Sequence, residues 1–150
     1  MKVGTPVLLS GPFGRFTADV ALTEKRLFIA GGVGITPIRT LIEEALGQEK
    51  DSVLLYANRN EDDVIFMKEL AALKQKGLKL VPVFSSPSAG FKGETGYVDG
   101  ERIKRLVPDF IERDVYICGP QPMMDGVVAD LRLSELPDEQ LHFERFALHN

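Results

Sequence analysis

Three features of this 150-residue chain predict a doubly wound α/β fold, with a parallel five-stranded sheet and helices on both faces. Apolar runs of strand length alternate with amphipathic stretches of helical length. Two of the runs, Val53-Leu54-Leu55-Tyr56 and Val115-Tyr116-Ile117-Cys118, are almost wholly apolar, as strands covered on both sides must be. Two runs also break at their C-terminal ends into glycine turns that open helices: Gly31-Gly32-Val33-Gly34-Ile35-Thr36-Pro37 and Cys118-Gly119-Pro120.

The first strand is read over residues 26–30 and its helix over 37–46. Ile38, Leu41, Ile42 and Ala45 share one face of that helix, and Gly47 follows as a stop. Pro37 suits a first helical position, where a missing N–H costs nothing. The second strand covers residues 52–57. A second helix covers 62–76, with Asp62 and Asp63 at its positive end and Gly77 at its stop. The third strand is 78–84. The Ser-, Pro- and Gly-rich segment 85–96 that follows is too long for a tight connection. It fits either a functional loop or a mobile surface loop. A short helix near 99–106, a fourth strand over 114–118, a helix over 120–132 and a last strand over 141–146 complete the pattern. Residues 1–17 differ: one short strand, Val7-Leu8-Leu9, precedes a turn at Gly11-Pro12-Phe13-Gly14 with no partner strand nearby. They read as the end of a preceding unit, and residues 18–150 read as the α/β domain.

A chain of this size buries roughly 68–70% of its unfolded surface, enough for a proper core. The net charge of −4, without a basic stripe, argues against nucleic acid or an anionic membrane as partner. No apolar run approaches a membrane span and no signal-peptide pattern is present. The lone Cys118 excludes an internal disulfide and fits a reducing, cytoplasmic setting. One cysteine and two late histidines, His142 and His149, make a dedicated metal site improbable; the histidines read as a surface strand residue and a tail residue.

In an open parallel sheet, ligands bind beyond the C-terminal strand ends, at the switch point of a Rossmann-like or flavodoxin-like strand order. Four segments fall there: 31–36, Asn58-Arg59, 85–92 and 118–120. Two helix N-termini facing one crevice suit a pyrophosphate or a dinucleotide. The first glycine turn fits a phosphate cradle and equally an ordinary strand-to-helix turn. Its spacing departs from G-x-G-x-x-G and lacks the Lys-Ser/Thr of an NTPase loop. Neither a G-x-S-x-G elbow nor a Ser-His-Asp set is apparent.

Taken together and in order, these motifs resemble those of the ferredoxin–NADP reductase superfamily. Gly31 to Pro37 and Cys118-Gly119-Pro120-Gln121-Pro122-Met123-Met124 are similar to its two signature motifs. Tyr56 to Phe66 resembles the second-strand region of its cytochrome b5 reductase-like members. Gly11-Pro12-Phe13-Gly14-Arg15-Phe16 resembles the closing strand of the flavin-binding barrel that precedes the nucleotide domain. The resemblance implies NAD(P)H bound on this domain, FAD bound mainly on an N-terminal barrel, and hydride passed from nicotinamide to flavin. Electrons then leave for a haem, iron–sulfur or other acceptor. The competing reading is a nucleotide-binding regulatory subunit without redox activity.

By the same resemblance, Gly31, Gly32, Val33 and Gly34 lie along the pyrophosphate and nicotinamide ribose. Thr36 lies near the nicotinamide, or serves as a helix N-cap. Cys118 sits beside the nicotinamide as a positioning thiol, or is an inert buried cysteine. Gly119 and Pro120 belong to the same turn. Met123 and Met124 touch the adenosine, or pack the helix start. Glu144 is a polar neighbour of the nicotinamide. Asn58, Arg59, Ser85 and Ser86 fall at the adenosine end. Arg59 and Lys92 could meet a 2′-phosphate, and Asp62 and Asp63 a free diol. The balance leans to NADPH over NADH, because Ser85 and Ser86 bring no acid to the third strand end. The barrel's Arg-x-Tyr-Ser/Thr flavin signature is absent from this sequence. The chain alone is therefore expected to bind FAD weakly and not to turn over.

Overall fold

A computed structural model describes residues 16–144. Residues 1–15, most of the stretch read as the end of a preceding unit, lie outside the described residues, as do Phe146, His149 and the end of the last predicted strand. Among the described residues, six parallel strands form one sheet in the order β4-β3-β2-β1-β5-β6. They are β1 (Lys25–Gly31), β2 (Asp51–Asn58), β3 (Lys79–Phe84), β4 (Glu94–Thr95), β5 (Asp114–Cys118) and β6 (Leu141–Phe143). The sheet is one strand wider than predicted. The addition is β4, a two-residue edge inside the segment read as loop, where Glu94 and Thr95 pair with Val83 and Phe84. Its shortness leaves Pro82 beside an unpaired edge, the place where a missing N–H is tolerated. With β4 set aside, the order is Rossmann-like, and the switch point lies between β1 and β5.

Alternation along β1 sorts the core into two layers. Leu27 and Ile29 face a cluster that includes Ile103, Met124, Val127 and Leu131 from α3 (Gly100–Leu106) and α4 (Gln121–Leu133). Phe28 and Ala30 face the other cluster, with Ile35, Ile38, Leu41 and Ile42 of α1 (Ile35–Gly47) and Leu70 and Leu73 of α2 (Met67–Gln75). The helical face predicted for α1 is the buried one. The helix starts two residues early, so Pro37 is its third residue and still within the first turn, where no N–H is required.

The second helix departs further from expectation. Asn60 accepts hydrogen bonds from the N–H groups of Asp62 and Asp63, and so caps a single 3₁₀ turn, Glu61–Asp63. The chain then extends, and Phe66 takes a left-handed φ of 58° before α2 begins at Met67. Asp62 and Asp63 therefore complement that short turn, not α2. The left-handed turn sets the Phe66 ring against Arg39, whose guanidinium carbon lies 5.0 Å from the ring centroid.

Polar side chains close the N-terminal ends of the strands. Asp114 Oδ2 accepts from the N–H of Leu22 (3.0 Å), the N–H of Thr23 (2.7 Å) and the Thr23 hydroxyl (2.8 Å). Its Oδ1 lies 2.9 Å from His142 Nε2, and Arg26 Nη1 stands 3.5 Å from Oδ2. Burial pushes the Asp114 carboxyl up, but the bonds from His142, Thr23 and Leu22 outweigh it and hold the group below its ordinary value. His142 also lies against the Tyr116 ring, at 4.5 Å, so it is a packed part of this network and not the surface residue predicted. Beside it, Arg113 forks onto Asp109 (3.0 and 2.9 Å) and reaches Asp51 (2.8 Å).

Candidate nucleotide-binding site

A cleft of about 670 Å³ opens at the other end of the sheet, where β1, β2, β3 and β5 finish. The two glycine turns meet at its floor. Gly34 packs on the carbonyl of Cys118: a Cβ at Gly34 would stand 2.1 Å from that oxygen. A Cβ at Gly119 would stand 3.0 Å from Gly31 N, and one at Gly31 would meet Met123 Sδ at 2.7 Å. At Gly34 the obstacle is backbone, so the closeness of the turns requires glycine there; at Gly31 and Gly119 a side chain would first have to displace the Met123 thioether end. Gly32 differs. Its φ is +50° and a Cβ there would meet nothing within 4 Å, because it borders the open cleft. The Tyr56 hydroxyl, rising from β2, donates to Gly32 O at 3.2 Å and anchors the turn.

No side chain caps the helices behind these turns, and the 3₁₀ turn Gly32–Gly34 runs straight into α1, where the Ile35 N–H is bonded to Gly32 O and Val33 O. Neither α1, with Gly34 as N-cap, nor α4, with Pro120, has a capping side chain or an acid in its first turn. By contrast, α3 is capped by Asp99 and carries Glu101. Uncapped N–H groups at positive dipole ends are suited to phosphate oxygens. Thr36 is not a cap. Its hydroxyl donates to Val33 O at 2.9 Å and tightens the turn from behind.

The cleft brings together Gly31, Gly32, Val33, Asn58, Arg59, Ser85, Pro120 and Met123 from the predicted set. The Nδ2 and Oδ1 atoms of Asn58 are shielded from solvent, with the Tyr56 hydroxyl beside them and no bond of full hydrogen-bond geometry. An amide this poorly satisfied beside a cleft has hydrogen-bonding capacity to spare. Cys118 lies beneath the floor with 0% exposure. Burial, helped by the charge of Glu144, pushes its thiol up to about 11, so the sulfur stays neutral. Met124, 1% exposed, belongs to the core under α4 and not to the cleft, because its position on the helix turns it toward the sheet. Gly34, Gly119, Thr36 and Ser86 flank or support the cleft without lining it. Glu144 borders a separate, smaller hollow with Phe16, His142 and Phe143.

Residues 28–129 match the family model of the oxidoreductase NAD-binding domain. This chain belongs to that family. The NAD-binding domain is 33% identical over 145 residues to NADH-cytochrome b5 reductase 1 of Laccaria bicolor, covering 91% of this chain and 47% of the relative. It is 28% identical over 151 residues to the flavohemoprotein of Oceanobacillus iheyensis, covering 97% and 37%. Its backbone superposes on the cytochrome b5 reductase domain of Ulva prolifera nitrate reductase with a TM-score of 0.70 at 26% identity, covering 81% and 49%. These relatives place it in the ferredoxin–NADP reductase superfamily, as the motifs implied. The chain spans about half of their length or less.

Several lining residues of this NAD-binding domain escaped sequence reasoning. Tyr97 is 76% exposed and is the one aromatic side chain among the described residues of the cleft lining. Ile65, Asp99 and Asp130 also reach the cleft, as does Asp63, which the sequence offers as a partner for a free diol. The Gly96-Tyr97 pair was the available signal, since a glycine beside an aromatic ring in a functional-length loop marks a turn that presents the ring. Among the described residues, no group of three or more His, Cys, Asp or Glu side chains could hold a metal ion. No described helix is long and apolar enough to cross a membrane.

Proposed function

We propose that this domain binds a nicotinamide adenine dinucleotide across the cleft and presents its nicotinamide to an FAD carried by an adjoining domain. The carrying observation is the convergence of two uncapped helix N-termini over Gly32, the glycine that borders open space. A reduced nicotinamide held there supplies a hydride, which a flavin can accept before passing electrons to a haem, iron–sulfur or small-molecule acceptor. The chain's own residues bind and orient. N–H groups of the turns at 31–34 and 119–121 take the pyrophosphate, and Gly32 admits it closely. Asn58 satisfies its amide on the adenosine side. Tyr97 and Ile65 offer an aromatic and an aliphatic surface to the purine. Cys118 acts from beneath as a neutral packing sulfur, and the exposed Thr36 fixes the Val33 carbonyl. Glu144 contributes charge near Cys118.

Arg59 and Ser85 line the cleft where β2 and β3 end, and they support acceptance of a 2′-phosphate, hence of NADPH as well as NADH. Calorimetric titration with NAD⁺, NADP⁺ and 2′-AMP tests both points. Binding of the dinucleotides at sub-millimolar concentration is expected, and silence from all three at millimolar concentration overturns the proposal. Arg59→Glu should weaken NADP⁺ and 2′-AMP about tenfold while leaving NAD⁺ within about twofold. Equal losses for NAD⁺ and NADP⁺ would remove Arg59 from the 2′ position.

A further inference from the structure

Arg102 lies on α3, outside the cleft lining, yet the segment that carries Tyr97 is folded around its guanidinium. Arg102 Nη2 donates to Thr95 O at 2.7 Å, and Nη1 donates to Tyr97 O. Its Nε stands 3.2 Å from Glu94 Oε2, and Arg105 grips that same carboxylate at 3.0 and 2.6 Å. Asp99 Oδ1 accepts from the N–H of Arg102 at 2.8 Å, which fixes the base of the side chain. Gly96, between the two held carbonyls, has a φ of +114°, and a Cβ there would sit 3.4 Å from both terminal nitrogens of Arg102. The Gly96 N–H donates to Phe84 O at 2.8 Å.

The short β4 offers only two residues of sheet register, too little to fix Tyr97 two positions beyond it. The guanidinium supplies what the sheet does not. Its planar fork reaches two carbonyls on either side of a left-handed glycine, a task one ammonium point cannot perform. Tyr97, at the end of this wrapped segment, lines the cleft and is 76% exposed. We infer that Arg102 is a positioning residue for nucleotide binding: it holds the backbone on both sides of Gly96 and thereby aims the Tyr97 ring at the purine end of the cleft. The inference rests on the nucleotide reading above and adds to it a residue that touches no ligand.

The test uses ¹³C-tyrosine NMR together with calorimetry on the same chain. Tyr56 and Tyr116 are buried and Tyr97 is exposed, so the three rings are distinguishable. In Arg102→Met without ligand, the Tyr97 ring signal should move and narrow while those of Tyr56 and Tyr116 stay in place. Affinity for 5′-AMP should fall about fivefold, the worth of one hydrogen bond, and affinity for nicotinamide mononucleotide should stay within about twofold. In a Tyr97→Leu background, Arg102→Met should cost nothing further for 5′-AMP. Arg102→Lys, which keeps the charge near Glu94, should give an intermediate ring shift, and it replaces Arg102→Met should that variant not fold. An unmoved Tyr97 signal, equal loss for both half-ligands, or full additivity with Tyr97→Leu overturns the inference. A moved Tyr97 signal in a protein that binds no nucleotide overturns the nucleotide reading and leaves the hold on Tyr97 standing.

Discussion

Asp114 opens β5 and Cys118 closes it, yet the two ends of this strand lie in opposite surroundings. Around Asp114 the polar groups are spent on one another: a carboxylate with several donors, Arg26 against it, His142 beside it, and Arg113 forked onto Asp109 nearby. Around Cys118 the backbone is glycine on glycine, two helix ends have no side-chain cap, and the Asn58 amide has only the Tyr56 hydroxyl beside it. One end stabilises the sheet. The other leaves two helix ends without side-chain caps beside an open cleft. Such a division is what an α/β domain needs, since the same hydrogen-bonding groups cannot both close the fold and hold a ligand.

Gly34→Val should break the open end outright. A Cβ against the Cys118 carbonyl cannot be relieved by a rotamer change, so a loss above about 4 kcal/mol is expected, read as a collapse of the thermal transition. A near-native melting temperature would mean that the two turns are not in contact. Next in size, Asp114→Asn should cost about 3 kcal/mol in chemical denaturation, because Arg26 remains buried without its carboxylate. A loss below about 1 kcal/mol would erase the contrast between the two ends.

Gly32→Val sharpens the contrast. It should cost about 2 kcal/mol of stability from the left-handed backbone, while nucleotide affinity falls at least about tenfold, because the new side chain enters the cleft. Unchanged affinity would contradict the assigned phosphate path.

Acid titration probes the closed end more gently. The Arg113 fork, followed by Lys25, holds Asp109 down at about 2, below its unfolded value near 3.8. Its contribution is therefore complete above about pH 4 and is lost as pH falls toward 2. With partial solvent screening it amounts to about 1 kcal/mol. Asp109→Asn should flatten stability across that window, and an unaltered acid limb would show that the fork adds nothing. Smallest of all, Cys118 in the folded protein should not react with iodoacetamide at about pH 8 over an hour, and prompt modification would contradict its burial.

Much of this molecule is legible in its residues, for identifiable reasons. The doubly apolar strands and the face of α1 follow from burial periodicity, which a sheet covered on both sides imposes strongly. The convergence of positions 31–34 with 118–120 follows from strand order, and glycine marks it because the backbones touch. The misses lie where local chemistry has two uses. Asp62 and Asp63 look like helix-start acids, but Asn60 diverts them into a 3₁₀ turn, and Phe66 then reverses the chain before α2 begins. Two adjacent methionines look alike in sequence, and only helix phase separates Met123 in the cleft from Met124 in the core. Tyr97 was missed because its place depends on Arg102, a contact between segments that no periodicity encodes.

The position of β1 at the centre of the sheet has a consequence for how the chain assembles. Its pairing with β2 is closed by one intervening helix, whereas its pairing with β5 joins Leu27 to Val115 across most of the sequence. No fragment cut in the exposed segment around Ala89 and Gly90 owns a complete pocket. Half the walls end before the cut and half begin after it. Dinucleotide would therefore act as a staple between two separately synthesised pieces, favouring their reassociation by about 2.7 kcal/mol at roughly a hundredfold excess over its dissociation constant.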